Sequence, residues 1–410
     1  MRALISEGTG HAGFPLGPPL GKTTMKQVDE PKINPQEVLI KTACSGVCFT
    51  DLHAYLGVSQ YYGAENPVRP YNGFGGSVGS KGVQTAPPNI AGHEGSGVIV
   101  EIGADVPSET GLRVGDRVCI DIFAAAEGLL PRAGINLGTG IPGPPFVVPN
   151  QRGHSGCYAE YIAAFWRTAV KVPPQVSDVA AAGVEPWACG TRIARHSGQV
   201  LGDNVAVFGF DDYTASAMMW SKRLTPNELI VVDALPLRRE AALAFGADHA
   251  IDPTANNPVE AIRERMPFGP DVVYVGVDEW LEPSHRNIQY ALESVRWGGT
   301  VVITRLYRPD AFQYIDAMNF WMREVKLLTF GSFWCDEIWR GGRDRGDWKL
   351  TIDGMARGWI DPDAYVAKVI PFDELKTDKD VDLAFKAQTQ ERRKVVFAMD
   401  SKDPFAKAAN

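Results

Sequence analysis

Three short stretches of this 410-residue chain hold residue types that bind a transition metal: Cys48-Phe49-Thr50-Asp51-Leu52-His53, Gly92-His93-Glu94 and Glu185-Pro186-Trp187-Ala188-Cys189. Cys48 offers a thiolate, His93 an imidazole and Glu185 a carboxylate. Three such ligands, with a fourth position left to water or substrate, are the donor set of a catalytic zinc. A metal held in that way acts on an oxygen atom of its substrate. Taken singly, Cys48 reads as a small buried hydrophobe and His93 as a core histidine. The joint pattern is what carries metal chemistry.

These residues need a sizeable scaffold, and the composition supplies one. With 45% hydrophobic and 22% charged residues, the chain can bury a large core and divide into two or three domains. Six cysteines without dense spacing do not make a disulfide scaffold, and residues 1–5 begin like a strand rather than a secretory leader, so the cytoplasm is the expected address. There is no run of 18 apolar residues to span a membrane. A formal charge of -8 argues against a nucleic-acid partner. A small-molecule enzyme is the natural class.

Short β-like runs punctuated by glycine fill the first third, at 36–42, 97–102, 116–120, 158–162 and 168–172, and predict a barrel-like antiparallel domain. From Asn204 the character changes. Apolar runs at 205–208, 229–232, 249–251, 272–275 and 300–303 alternate with helix-like segments, which predicts a parallel sheet with crossover helices. Two stretches crowded with glycine and proline, 58–89 and 127–155, read as long loops.

The run Gly92-His93-Glu94-Gly95-Ser96-Gly97 with Gly103 and Val106 behind it, Val114-Gly115-Asp116-Arg117-Val118, and Ala159-Glu160-Tyr161 resemble the zinc-containing medium-chain alcohol dehydrogenases. The resemblance covers nearly the whole chain. It implies an α/β protein: a GroES-like β-rich catalytic domain over 1–184 and 336–410, and a Rossmann domain with a doubly wound parallel sheet over 185–335. It further implies hydride transfer between a small alcohol or carbonyl substrate and NAD(H), and a homodimer or homotetramer joined through the Rossmann domain.

Matched residue by residue, Cys48 and His93 correspond to zinc ligands, Glu94 to a glutamate that exchanges with the zinc-bound water, and Asp51 to the carboxylate that orients the histidine. Thr50 and His53 correspond to a proton relay, a hydroxyl passing the alcohol proton to an imidazole. Relatives divide between cysteine and glutamate as third ligand. Glu185, 24 positions before Gly209, matches the polyol-dehydrogenase type. Cys189 is the rival, four residues later and on the same face of any helix that starts here. A structural zinc is not expected: relatives carry four closely spaced cysteines after the strand that here ends at Cys119, whereas 120–156 contain none. His154 and Cys157 make only a pair.

In the dinucleotide half, a Gly-x-Gly-x-x-Gly turn would let the backbone approach a pyrophosphate at a helix N-terminus. Here the run is Gly209-Phe210-Asp211-Asp212-Tyr213-Thr214. Two carboxylates stand where the diphosphate should lie, and each such contact at about 4 Å costs about 1 kcal/mol in a water-like medium and up to about 4 kcal/mol at intermediate dielectric. The alternative is that these aspartates cap the helix with their side chains turned to solvent. Phe49 also stands where relatives often carry an arginine or histidine. Against these losses, Asp233 lies 24 residues after Gly209, where an acid binds the ribose hydroxyls and favours NAD over NADP. Arg238 and Arg393 fall where relatives place basic residues beside the ribose and pyrophosphate. With Gly209 and Phe210 they complete the expected cofactor set. The two aspartates motivate a second class, a zinc-dependent lyase, hydratase or isomerase on the same scaffold.

From Cys48 to His93 the chain advances 45 residues, roughly two dozen more than the resemblance implies. The insertion carries Tyr61, Tyr62, Tyr71 and Phe74, which make it either a lid over the zinc cleft or a loop packed onto the barrel. Trp321, Trp334 and Trp339 read as packing at a domain or subunit interface.

Overall fold

A computed structural model of the chain describes residues 1–7, 22–49, 51–52, 89–121, 156–276, 285–305, 316–329, 346–391, 393–400 and 402–407. Most of the 58–89 insertion, with its candidate lid aromatics, and the 127–155 stretch lie outside the described residues, as do Thr50, His53, His154, Trp334 and Trp339. The chain divides into two compact units. One comprises Met1–Glu185, Val366–Gln390 and Lys394–Asn410; the other comprises Pro186–Tyr365 and Glu391–Arg393. No helix among the described residues is long and apolar enough to cross a membrane.

Strands β1 (Arg2–Glu7), β2 (Lys22–Gln27), β3 (Glu37–Gly46), β4 (Asn89–Ile90), β5 (Glu94–Ile102), β6 (Arg117–Ile120), β7 (Tyr161–Phe165) and β8 (Ala169–Lys171) belong to the first unit. The second unit holds β9 (Val205–Phe208), β10 (Leu229–Val232), β11 (His249–Ile251), β12 (Val272–Val275), β13 (Thr300–Ile303) and β14 (Lys326–Thr329). The chain then returns to the first unit with β15 (Val366–Pro371) and β16 (Lys394–Ala398).

In the first unit the order is β15-β16-β3-β5-β6-β8, with β7 also paired to β3, beside a three-stranded sheet β2-β1-β4. β3 is its spine. Its apolar residues Val38, Leu39, Ile40, Ala43 and Cys44 are buried, and it pairs antiparallel with β5, β7 and β16. The register places Gly46 opposite Glu94 on β5 and opposite Val396 on β16. Cys48 therefore leaves β3 where His93 enters β5. Ser45 Oγ fastens the register by donating to the Glu94 carbonyl at 2.8 Å. At Gly97 the two strands are so close that an added Cβ would meet the Lys41 carbonyl and the Ile40 side chain.

In the second unit six strands run parallel in the order β11-β10-β9-β12-β13-β14. Val205–Phe208, Leu229–Val232, Val272–Val275 and Thr300–Ile303 are buried throughout, as strands covered on both faces must be. Helices Asp212–Lys222, Pro236–Ala244, Pro258–Arg265, His285–Ser294 and Ala317–Met322 make the successive crossovers. This is the Rossmann order, with the strand sequence reversing direction between β9 and β12. Five strands coincide with the apolar runs read from sequence. The sixth, β14, reads Lys-Leu-Leu-Thr and is partly exposed at the sheet edge, so its periodicity is too weak to stand out. Trp321 precedes it on the outside, 71% exposed.

Replacing Gly97 by Ala is expected to destabilise the first unit by about 1–3 kcal/mol, since its neighbour is backbone that cannot swing aside. Urea unfolding of the variant against the parent measures this.

Candidate functional site

The strand register assembles a cluster from four separate segments. The ligand atoms of Cys48, His93, Glu94 and Glu185 all lie within 4.8 Å of one another, and all four residues are buried. Cys48 opens a helical turn, its carbonyl accepting from the Leu52 N–H at 3.1 Å. His93 is set by Gly92, whose φ of +88° is left-handed and whose Cα lies under the Tyr158 ring with no room for a Cβ. Glu185 arrives on the first turn of the helix Val184–His196. Just before that helix, the turn Asp178–Ala182 is capped by Ser177, whose Oγ accepts from the Ala180 N–H at 2.9 Å. Cys189 is not among the gathered donors.

Around this cluster Glu94, His93 and Asp51 each have a specific neighbour. Lys394, the first residue of β16, donates from Nζ to Glu94 Oε1 at 2.9 Å and Oε2 at 3.0 Å, and to the Val47 carbonyl at 3.3 Å. Both members of this ion pair are buried. The Glu94 carboxylate occupies the space beside Gly46 that a side chain would fill. Asp51 Oδ1 lies 3.4 Å from His93 Nδ1, which leaves Nε2 as the ring nitrogen for a metal. Tyr158 donates its hydroxyl to Asp51 Oδ2 at 2.7 Å. Burial first, then the Asp51 charge and this hydrogen bond, push the Tyr158 phenol well above its ordinary value, so it remains a donor. Burial likewise pushes the Cys48 thiol up, reinforced by Glu94 and opposed by His93. A metal ion bound there has to displace the thiol proton. The mixed thiolate, imidazole and carboxylate set fits zinc.

In the second unit β9 is followed by Gly209, whose φ of +79° makes the turn into the helix Asp212–Lys222. Strand order and turn fit a dinucleotide. Arg393, also in the second unit, has its Nε buried with no hydrogen-bond partner among the described residues. The residues that line the turn are engaged with one another. Asp233 accepts from the Phe210 N–H at 2.7 Å and the Leu235 N–H at 2.8 Å, and the guanidinium of buried Arg238 lies 3.7 Å away. Burial raises the Asp233 carboxyl above its ordinary range in spite of these partners. Phe210 is buried against Phe245 and Tyr365, and its carbonyl accepts from the Tyr365 hydroxyl at 3.1 Å.

Asp211 is the N-cap of this helix, completing a capping box with Thr214. Neither Asp211 nor Asp212 turns to solvent: each is 1% exposed. Arg305 from beyond β13 explains this, donating from Nε to Asp211 Oδ2 at 2.8 Å and from Nη2 to Asp212 Oδ1. The repulsion expected from two bare carboxylates is thus partly neutralised inside the protein. Burial opposes the Arg305 charge, but the two carboxylates outweigh it and hold the guanidinium protonated.

Three residues at these sites, Lys394, Tyr158 and Arg305, were not singled out from sequence as functional. Lys394 and Arg305 left a faint signal, a charge placed at the end of an otherwise apolar strand run.

Comparison with known proteins follows the same division. Residues 34–174 match the family model of the alcohol dehydrogenase GroES-like domain, and residues 216–353 that of zinc-binding dehydrogenase. An alcohol dehydrogenase of Geobacillus stearothermophilus is 30% identical over 295 residues, 70% of this chain and 74% of the relative. The (R,R)-butanediol dehydrogenase of Bacillus subtilis (strain 168) is 28% identical over 354 residues, 86% of this chain and 90% of the relative. The crystal structure of 2R,3R-butanediol dehydrogenase from Bacillus subtilis matches with a TM-score of 0.71 at 24% identity, covering 97% of this chain and 100% of that chain. This last likeness is one of fold.

Replacing Lys394 by Met is expected to cost about 3–5 kcal/mol, because it leaves the Glu94 carboxylate buried without its counter-charge. The double variant Lys394→Met with Glu94→Gln should recover a large part of the loss. Chemical denaturation of the three proteins measures it.

Proposed function

This chain belongs to the zinc-binding dehydrogenases with a GroES-like alcohol dehydrogenase domain, and on that premise we propose that it transfers a hydride between a small alcohol and its aldehyde or ketone, with NAD(H) as partner. One observation carries the proposal: a thiol, an imidazole and a carboxylate, from Cys48, His93 and Glu185, converge in a buried cluster that includes Glu94. Cys48, His93 and Glu185 hold one catalytic zinc, and no structural zinc accompanies it. When bound, zinc supplies Lewis acidity toward the substrate oxygen and NAD supplies the hydride acceptor.

The protein's own residues do the rest. Asp51 fixes the His93 ring by its Nδ1 side, and Tyr158 fixes Asp51. Lys394 balances Glu94 through both oxygens, so that this carboxylate stays beside the metal ligands without adding a bare charge. Thr50 and His53 relay the alcohol proton, hydroxyl to imidazole. Gly209 and Phe210 form the turn of the nucleotide site, Asp233 and Arg238 serve the ribose side, and Arg393 serves the pyrophosphate. The names of the relatives, alcohol and butanediol dehydrogenases, support an alcohol as substrate.

A second reading retains the zinc and omits the hydride, as in a lyase, hydratase or isomerase. The buried Asp211 and Asp212 at the nucleotide turn favour it. We also assign a homodimer or homotetramer, supported by the exposed Met318, Trp321 and Met322 on the helix before edge strand β14, and a cytoplasmic location.

The purified protein is expected to contain about one zinc per chain and to reduce NAD with a secondary alcohol or diol, both lost in Cys48→Ala. One zinc per chain with no NAD reduction across a panel of such alcohols would favour the non-redox reading instead. The raised Cys48 thiol is protonated in the metal-free fold at all pH values below its ordinary range, so zinc must displace that proton. Zinc affinity should therefore rise about tenfold per pH unit through neutrality, measured by chelator competition.

A further inference from the structure

The helix Asp212–Lys222 starts beside the point where strand order reverses, the position at which such sheets receive a phosphorylated ligand. Four backbone donors at this helix start are spent inside the protein. Phe210 N–H donates to Asp233 Oδ2 at 2.7 Å, Asp211 N–H to Thr214 Oγ1 at 2.9 Å, Tyr213 N–H to Asp212 Oδ1 at 3.0 Å and Thr214 N–H to Asp211 Oδ1 at 2.9 Å. Arg305 closes the arrangement. Its guanidinium bridges Asp211 and Asp212, lies 3.6 Å from the centroid of the Tyr213 ring and is 8% exposed.

We propose that Arg305 and the Asp211–Asp212 pair form a latch across the dinucleotide cradle, and that NAD(H) binds as Arg305 exchanges the two carboxylates for the diphosphate. The chemistry of the fork permits the exchange. A guanidinium binds a pair of carboxylate oxygens and a pair of phosphate oxygens with the same planar geometry. A diphosphate cannot settle against the helix start while two carboxylates and their arginine fill it, and it cannot stay there unless a cation faces it. Arg305 serves in turn as counter-ion to the aspartates in the closed state and to the nucleotide in the open one. Nucleotide affinity is consequently reduced by the fraction of protein in which the latch is closed. The inference rests on the redox reading above, because it assigns these residues to a dinucleotide.

The test is direct binding of NADH to the zinc-loaded protein, followed by calorimetry, with adenosine as a probe that lacks phosphate. In Asp211→Asn with Asp212→Asn, the cap acceptor is retained, since asparagine caps as well as aspartate, while the charge is removed. NADH binding should tighten about tenfold as the closed state loses its hold, with adenosine unchanged. Asp212→Asn alone, which leaves the cap untouched, carries the same test with a smaller gain of about threefold if the double variant does not fold.

Arg305→Gln should weaken NADH binding about tenfold and lower the melting temperature. Adding Arg305→Gln to the double asparagine variant should restore the melting temperature without restoring NADH affinity, which a merely structural arginine would not do. Unchanged NADH affinity in both asparagine variants, with the parent binding and reducing NAD, would overturn the latch and leave the proposed function standing. Absence of NADH binding in the parent and in every variant would overturn the redox reading, and the latch with it.

Discussion

The pairing of β3 with β5 that sets Gly46 opposite Glu94 is the constraint on which the metal cluster depends. It brings the end of one strand and the start of the other to the same place, so Cys48 and His93 become neighbours although 45 residues separate them in sequence. β16 joins at the same point, with Val396 opposite Gly46, and its first residue supplies Lys394. A slip of one residue would send Glu94 to the other face of the sheet, away from Lys394 and the metal ligands. Glycine at 46 is part of this constraint because the Glu94 carboxylate occupies the volume of the missing side chain.

The two units manage buried charge in the same way. Glu94 is balanced by Lys394 from the start of β16, Asp211 and Asp212 by Arg305 from beyond the end of β13, and Asp233 by Arg238 from the helix that follows β10. A carboxylate removed from water is tolerable when a cation and hydrogen bonds replace the lost solvation. The consequence differs between the two. In the metal cluster the pairing accounts for Glu94 and leaves a thiol, an imidazole and a carboxylate as donors. At the nucleotide turn it occupies the donors themselves, so a site that is open in outline is filled in detail. Of the two alternatives open to a reading of the local sequence, bare charges facing a diphosphate or helix caps turned to solvent, the capping holds for Asp211, but both side chains are buried on Arg305.

How much could be read in advance follows from the range of each interaction. The four continuous apolar runs at β9, β10, β12 and β13 were legible because a strand buried on both faces writes its environment into consecutive residues. β14 was not, being a half-exposed edge strand with two apolar residues. Cys48, His93, Glu94 and Glu185 drew notice through residue type and motif, and the structure gathers them. Their supports gave no such notice. Tyr158 meets Asp51 across 107 positions, Arg305 meets Asp211 across 94 and Lys394 meets Glu94 across 300. Nothing local distinguishes these three from an ordinary core tyrosine or a strand-end charge.

Sequence alone therefore determined the class of the protein: an α/β chain with a parallel sheet and crossover helices, a β-rich partner and a donor set suited to zinc. These follow from composition, periodicity and motif, all of which act over a few residues at a time. Tertiary structure decided which charges are neutralised and by which partner. It made Glu185 rather than Cys189 a member of the cluster, gave Glu94 to Lys394, and gave the two aspartates of the nucleotide turn to Arg305. The physical reason is that the cost of a buried charge depends on its whole surroundings, and these are assembled by strand pairings and crossovers from residues far apart in the chain.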